Sequence, residues 1–387
     1  MRALFPFMLV ACGGALVWAG CSGDDTTSTP TDAGADVAPD TTPPPPPPPT
    51  DAGVDATTPR DCSKDLAPDG IPNHLECAGL YSKFADKTVA PDNRPYKPGV
   101  EFWSDGAVKQ RWVYLPPNTK IDTTDMDEWV LPVGTRLFKE FKLDGKLVET
   151  RTYFKVADAT WKHAAYRWNA DATDAVRKDE GEKIPRDGGP VYEVPNTLLC
   201  DGCHDGRKDR ALGFDAVSLG LRAATGVTLA TLVTEGRLTV NPDASQVTLP
   251  DDGTTLAPAA LSWLNINCGP CHNANTTAGA FFTNLFFLLK PSQVLPAGGV
   301  SVPVDQLDSY VTSVGVASGR MIPDAGGAFY ERIKKGSPDE SLAAFLSGRR
   351  VAPPGDPNSV EQMPPVVTRI VDTAGHKALT DWITALP

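Results

Sequence analysis

The chain has 387 residues, a length that fits two domains better than one. Its formal net charge is −12, and residues 22–61 hold eight Asp against one Arg, so much of the acidic surplus lies in that segment. The sequence has no evident basic patch of the kind that binds DNA or RNA, so we expect no nucleic-acid partner.

The first 21 residues are predicted to be a lipoprotein signal peptide. Arg2 precedes an apolar run at 3–18 that is too short to span a bilayer and ends at small residues, as export signals do. The ending Ala19-Gly20-Cys21 resembles a bacterial lipobox. That resemblance implies a lipid on Cys21 and an exported protein anchored at the outer membrane, facing the periplasm or the surface. The alternative is ordinary cleavage near Ala19, which gives a soluble periplasmic protein.

Residues 22–61 are predicted to be a disordered tether. They are mostly Thr, Asp, Ala, Gly and Pro, with seven consecutive prolines at 43–49. Such a composition cannot bury enough apolar surface to offset the entropy lost on ordering. Beyond the tether no apolar run is long enough to span a membrane, and the most apolar one, at 281–289, is expected to lie in the core.

The segment 62–200 is predicted to be a β-rich domain built on an antiparallel sheet or sandwich. Strand-like patterns occur at 108–115, 136–143 and 146–155, and Asp144-Gly145 favours a two-residue hairpin between the last two. Shorter strands are predicted at 165–168 and 191–194. Cys62 and Cys77 are expected to form a disulfide, because an exported chain meets an oxidising compartment.

The remainder of the chain is predicted to be largely helical, which makes the fold class α+β. Residues 201–254 are predicted to hold the segment of the first of the two cysteine motifs described below and a linker, and 255–387 to form an α-helical domain. Apolar spacing predicts helices at 229–238, 258–268, 341–346 and 373–386. The last of these places Leu379, Trp382, Ile383 and Leu386 on one stripe, as an amphipathic helix does.

Two short motifs have the chemistry of covalent heme attachment. They are Cys200-Asp201-Gly202-Cys203-His204, the first motif, and Cys268-Gly269-Pro270-Cys271-His272, the second motif. Two thiols three residues apart share one side of a helical turn, so they can bond both vinyl groups of one porphyrin. The histidine that follows then reaches the iron as its proximal ligand. The sequence therefore predicts two hemes of the c type, with the four cysteines as attachment sites.

Two other interpretations of the cysteines remain open. Each Cys-x-x-Cys pair could form a small disulfide, or the four Cys and two His could bind zinc, which takes four ligands of these types. Two copies of the motif in one exported chain favour heme over both.

The second axial ligands are less well marked by the sequence. The helix before the second motif, the downstream Gln362-Met363-Pro364-Pro365 and the final helix occur in an order that resembles a class I cytochrome c domain. That resemblance implies Met363 as the second ligand of this iron, with Met321 as a weaker candidate. For the first iron, His163 is a weak candidate and Met126 the remaining one.

Much of the chain beyond the tether resembles a family of exported bacterial diheme c-type cytochromes. Besides both motifs, the matching stretches lie in the β-rich part and are Ala78-Gly79-Leu80-Tyr81, Phe102-Trp103-Ser104-Asp105-Gly106, Lys109-Gln110-Arg111-Trp112-Val113, Leu115-Pro116-Pro117, Pro132-Val133-Gly134-Thr135, Glu149-Thr150-Arg151, Tyr166-Arg167-Trp168-Asn169 and Val194-Pro195-Asn196-Thr197. The resemblance implies two bound hemes and a role in electron transfer.

The sequence thus favours an electron carrier over an enzyme, with a redox protein as its partner and a membrane reached only through the lipid anchor. One alternative is a heme enzyme, such as a diheme peroxidase or the electron-accepting subunit of a dehydrogenase. Another is a non-heme envelope lipoprotein that binds other molecules and whose cysteines form disulfides.

Overall fold

A large antiparallel sheet is the main secondary structure of the described residues. The computed structural model describes residues 60–321, 329–350 and 362–387. Its strands are β1 (Tyr81–Lys83), β2 (Thr88–Val89), β3 (Arg94–Lys97), β4 (Val108–Tyr114), β5 (Arg136–Leu143), β6 (Lys146–Ala157), β7 (Thr160–Trp168), β8 (Ala175–Arg177), β9 (Glu182–Arg186), β10 (Gly189–Val194), β11 (Thr225–Gly226), β12 (Ala317–Met321) and β13 (Phe329–Glu331). Seven of them form one sheet in the order β11-β3-β4-β5-β6-β7-β8.

Local sequence rules account for the centre of this sheet. Asp144 and Gly145 both have positive φ, 48° and 78°, as the tight turn between β5 and β6 requires. The predicted strands at 108–115, 136–143 and 146–155 match β4, β5 and β6 to within two residues at each end. The strand predicted at 165–168 is the second half of β7, which already begins at Thr160.

The two faces of the sheet meet different partners, because side chains alternate along each strand. One face carries Trp112, Phe138 and Trp168, which pack against Leu75 and Leu80 of the segment before β1. The sulfur atoms of Cys62 and Cys77 in that segment are bonded, with the Cα atoms 5.3 Å apart. The opposite face, which carries β4 residues 109, 111 and 113 and their neighbours, meets the rest of the chain.

The helices cover that second face. They are α1 (Thr197–His204), α2 (Ala216–Gly220), α3 (Leu229–Thr234), α4 (Ala257–Asn267), α5 (Pro291–Val294), α6 (Asp308–Val311), α7 (Leu342–Ser347) and α8 (Thr373–Ala385). Helices α4 and α8 cross closely, since a Cβ added at Gly375 would lie 1.8 Å from Nε1 of Trp263. That indole donates to Asp372 Oδ2 at 2.8 Å, and Asp372 also caps α8.

One hydrophobic core joins the sheet to the helices. It includes Val113 and Leu137 from the sheet, Leu261 from α4, and Leu379 and Trp382 from α8. The fold is therefore mixed α+β and rich in β structure. The described residues all belong to one compact unit, Ala56–Pro387, and the boundaries at 200 and 254 stay predictions.

Two sequence-based expectations fail in this part of the chain. The apolar run at 281–289 is not uniformly buried: Phe282 lies 79% exposed on a 3₁₀ turn, Phe281–Thr283, while Phe287 and Leu289 are buried. The helix predicted at 229–238 ends at Thr234, because the chain turns at Gly236 with φ 63°. In the described part of the chain, no helix has the length and apolarity to cross a membrane.

Candidate functional site

Each motif lies on a single helical turn, as heme attachment requires. The first motif forms the end of α1, whose start is capped by Asn196, with the side chain accepting from the Leu199 N–H at 3.0 Å. The second motif continues from α4: the Cys268 N–H donates to Leu264 O, and the His272 N–H donates to Cys268 O, each at 2.9 Å. Residues three apart on a helix lie on one side, so both thiols of each motif face the same way.

The two motifs touch each other. Sγ of Cys271 lies 3.9 Å from Sγ of Cys203 and 3.4 Å from the Gly202 carbonyl oxygen. Nδ2 of Asn273 donates to the carbonyl oxygens of Gly206 and Pro270, at 3.0 Å each. This contact joins residues 68 positions apart and was not predicted from the sequence.

A glycine permits that approach. A Cβ added at Gly206 would lie 1.6 Å from the Pro270 carbonyl oxygen, far inside any allowed contact. A Cβ added at Gly202, inside the first motif, would have no other atom within 4 Å. The close packing of the two motifs therefore depends on the absence of a side chain at position 206.

His204 is oriented as a proximal ligand would be. Its Nδ1 lies 2.5 Å from the carbonyl oxygen of Arg210, which makes Nδ1 the protonated donor and leaves the Nε2 lone pair free. The Arg210 guanidinium reaches back to Asp201 at 2.9 Å and to Asp205. Burial lowers the pKa of His204 to about 3, against the opposing effect of the Arg210 carbonyl, so the imidazole is neutral at pH 7.

His272 has a more apolar setting. It is buried, and its ring lies edge-to-face with Phe287 at 5.9 Å between centroids. Burial lowers its pKa to about 4, with the Leu285 carbonyl acting in the opposite direction. Its buried Nδ1 makes no hydrogen bond of standard geometry among the described residues. A neutral imidazole is the form that binds iron, so both histidines fit that role.

The four motif cysteines are free thiols, and the surroundings disfavour the thiolate at three of them, whereas the hydrogen bond from Cys271 lowers the pKa of Cys203. Burial raises the pKa of Cys200 and raises that of Cys268 to about 12. The hydrogen bond from Cys271 to Cys203 raises the pKa of Cys271. Within the described ranges no three His, Cys, Asp or Glu side chains are grouped so as to hold a metal ion. Paired thiols on single helical turns, each followed by a neutral histidine, fit covalent heme.

Tyr153 of β6 separates the two histidines that were considered for the first iron. Its ring stacks on His204 at 4.2 Å between centroids and on His163 at 5.1 Å, with interplanar angles of 15° and 13°. Nε2 of His163 lies 3.2 Å from the Thr197 carbonyl oxygen. Ligation by His163 stays a prediction, and in this geometry it requires that Tyr153 move. Met126, the remaining candidate, accepts a hydrogen bond from Nε1 of Trp129 at 3.3 Å.

Met363 lies in the loop that joins α7 to α8. Its N–H donates to the Leu346 carbonyl at the end of α7, at 2.9 Å, and Arg350 donates to its carbonyl at 3.2 Å. The backbone of Met321 ends β12, but its side chain lies outside the described residues, as does Cys21. Ligation of the second iron by Met363, with Met321 as the alternative, therefore stays a prediction.

A buried ion pair, missed in the sequence, holds the loop after the first motif. Nζ of Lys155 in β6 lies 2.6 Å from Oδ1 of Asp209, with exposures of 1% and 3%. Asp209 also accepts from Trp161 Nε1 at 3.1 Å and from the Leu131 N–H at 2.6 Å. The next residue is Arg210, whose carbonyl oxygen accepts from His204, so this ion pair positions His204 indirectly.

A second missed feature joins the sheet to the C-terminal part. Asp105 accepts from the N–H groups of Arg369 and Ile370, at 2.8 and 3.0 Å. Trp103 donates from its indole to the Ile370 carbonyl at 2.7 Å and from its N–H to Asn267 Oδ1 at 2.8 Å. The loop of residues 102–106 thus ties the end of α4 to the segment that follows Met363.

Comparisons of the chain with protein-family models, with curated proteins and with solved structures find no match. The likeness to diheme cytochromes therefore rests on the residues quoted above.

Proposed function

We propose that the chain is an exported c-type cytochrome with two hemes that carries electrons in the cell envelope. The observation that carries this proposal is the contact between the motifs, with 3.9 Å between the sulfur atoms of Cys203 and Cys271. Thioether bonds join such sulfurs to the edge of a porphyrin. Two hemes attached this way are neighbours, and neighbouring hemes exchange electrons readily.

When bound, the hemes supply one-electron iron chemistry, and the chain supplies the ligands and the surroundings. His204 and His272 would be the proximal ligands, since burial holds both imidazoles neutral. The Arg210 carbonyl orients His204 and makes it a stronger donor, as a hydrogen bond to the second ring nitrogen does. Phe287, edge-to-face with His272, would give the second site an apolar wall.

The C-terminal part would act as a class I cytochrome c-like domain. In support, α4 leads into the second motif and crosses α8, and Met363 lies in the loop before α8. We propose Met363 as the second ligand of the second iron, with Met321 as the alternative. A thioether ligand raises the reduction potential of heme iron. Met363→His is therefore expected to lower the potential of one heme and leave the other unchanged, which a redox titration followed by absorbance measures.

The proposed location follows from the N-terminal residues. A lipid on Cys21 would hold the protein at the outer membrane, and a redox protein would exchange electrons with it there. Metabolic labelling with a radioactive fatty acid tests the anchor, and Cys21→Ser is expected to abolish the label.

Heme content tests the proposal as a whole. The chain is expressed with a cytochrome c maturation system, and the pyridine hemochrome assay and intact mass then count the hemes. Two are expected in the unaltered chain, and one after Cys200→Ser with Cys203→Ser or after Cys268→Ser with Cys271→Ser. The matched control is Cys62→Ser with Cys77→Ser, which removes the disulfide and is expected to keep both hemes. A chain without covalent heme under these conditions overturns the proposal.

A further inference from the structure

A row of positively charged side chains crosses the sheet face that meets the first motif. Arg111 of β4 pairs in register with Lys139 of β5, and Lys139 pairs with Arg151 of β6. Register partners on adjacent strands have their side chains on the same face, close to each other. Like charges placed directly opposite one another destabilise a sheet, so an anion is expected to offset them.

The carboxylates nearby are too few for these cations. Glu101 lies 2.5 Å from Arg111. Glu149 accepts hydrogen bonds from Nε and Nη2 of Arg151, at 2.5 and 3.0 Å. Lys109, on the same face of β4, donates to the Phe102 carbonyl. Four basic side chains therefore stand beside two carboxylates, and Glu101 is shared with a further cation, Lys97, at 3.3 Å.

Two of the cationic groups still lack an acceptor. Nη2 of Arg111 is buried without a hydrogen-bond partner, on a side chain that is 4% exposed. Lys139 makes no hydrogen bond or ion pair with the described residues, and its ammonium lies 5.3 Å from the ring centres of Phe102 and Phe141. Burial, followed by the charges of Arg111, Arg151 and Lys109, lowers the pKa of Lys139 well below its usual value.

The cluster lies beside the first motif rather than the second. Tyr153, two residues along β6 from Arg151 and on the same face of the sheet, stacks on His204 with 4.2 Å between ring centroids. In agreement with this placement, the charges of Lys139 and Arg151 act on both Cys203 and His204. The second motif differs. Burial alone raises the pKa of Cys268, and the cation that acts on the pKa of His272 is Arg332. An anion bound by the row would therefore belong to whatever the first motif holds.

Building on the proposed function, we infer that Lys139 and Arg111 bind the propionate carboxylates of the first heme. Heme carries two propionates, and these anions are the kind of group that this row of basic side chains can bind. Arg111 and Lys139 would each gain the acceptor that they lack here, and charge-assisted hydrogen bonds to carboxylates are among the strong ones. Both are positioning residues, since they act on the porphyrin edge and not on the iron.

The reduction potential of the first heme tests this inference. A cation beside the heme favours the ferrous form, which carries one positive charge fewer than the ferric form. Lys139→Met is expected to lower the reduction equilibrium constant about tenfold, which is about 59 mV for one electron. The potential is also expected to become more dependent on pH between 5 and 8, because a propionate without its cation takes up a proton more easily. Lys139→Arg, which keeps the charge, is expected to restore both properties.

The matched control is Lys142→Met. Lys142 lies on the same strand, but its ammonium is 3.6 Å from Glu140 and 3.3 Å from Gln110, on the other face of the sheet. Its removal is expected to leave both potentials unchanged.

Three outcomes overturn the inference. One is an unchanged first potential in Lys139→Met with both hemes attached. Another is a potential that Lys139→Arg fails to restore. The third is a change in the spin state of the first iron on Lys139→Met, which would make Lys139 an axial ligand. The heme count of the unaltered chain is measured first, so absence of heme, which sinks the proposed function, is recognised separately.

Discussion

Removing the charge of Asp209, which pairs with buried Lys155, is predicted to destabilise the fold strongly. In Asp209→Asn the side chain keeps its shape but loses its charge. One amide oxygen can no longer serve all three donors, Lys155 Nζ, Trp161 Nε1 and the Leu131 N–H, which now lie 2.6, 3.1 and 2.6 Å from the carboxylate. The amide NH₂ group must face at least one of them.

The expected loss is large because Lys155 is only 1% exposed. Breaking a buried ion pair by removing one partner costs about 3–5 kcal/mol in unfolding free energy, since the other charge is left buried and unpaired. Urea denaturation, followed by far-UV circular dichroism on the protein with its hemes, measures this loss. Adding Lys155→Met to Asp209→Asn is expected to recover part of it, because the unpaired charge is then gone.

An exposed ion pair serves as the control. Arg94 and Glu235 lie 2.5 Å apart, but their side chains are 40% and 37% exposed. Glu235→Gln is expected to cost less than about 1 kcal/mol, as exposed pairs do. The reasoning fails if Asp209→Asn costs no more than Glu235→Gln, or if the double variant is less stable than Asp209→Asn alone.

Two further predictions concern the motifs. Gly206→Ala places its Cβ 1.6 Å from the Pro270 carbonyl oxygen, so we expect urea denaturation to show a loss of about 1–3 kcal/mol. Gly202→Ala, with open space around the added atom, is the control, and equal losses in the two variants would contradict the packing argument. The heme-free chain, made without the maturation system, is expected to lose stability as the pH falls from about 6.5 toward 4. The pKa values of His204 and His272 are lowered to about 3 and about 4, so the unfolded chain binds protons in this range that the folded chain does not. These two histidines contribute at most about 2.7 kcal/mol of unfolding free energy per pH unit. Urea unfolding curves at several pH values measure this dependence, and an unfolding free energy that does not change with pH would count against neutral imidazoles in the folded chain.

Local patterns predicted the elements well where they act over a few residues. The Asp144-Gly145 turn depends on backbone geometry, and the strands beside it depend on the alternation of apolar and polar side chains. Both can be recognised from consecutive residues. The Cys-x-x-Cys-His turns are equally local. Phe282 shows the limit, because apolar character alone does not tell which side of an irregular segment faces the core.

Contacts between distant residues could not be predicted in the same way. Nothing near Cys203 indicates that Cys271 lies beside it, since the two residues are 68 positions apart and meet only when the chain folds. The alternation of side chains along each strand fixes which face each of Arg111, Lys139 and Arg151 lies on. Only the register between β4, β5 and β6 brings the three into one row. Gly206, by contrast, left a weak signal, as a glycine two residues past a motif histidine.

The contact between the two motifs also has a consequence for how the protein is made. In a chain that folds before heme arrives, Cys271 already lies 3.9 Å from Cys203, and Asn273 donates to the Gly206 carbonyl nearby. Porphyrin would then meet one thiol of each motif already in contact with the other motif, and an oxidising compartment would favour a bond between the two sulfurs. We therefore expect heme attachment to precede folding, so that the last step of biosynthesis is the closing of the chain around cofactors it already carries.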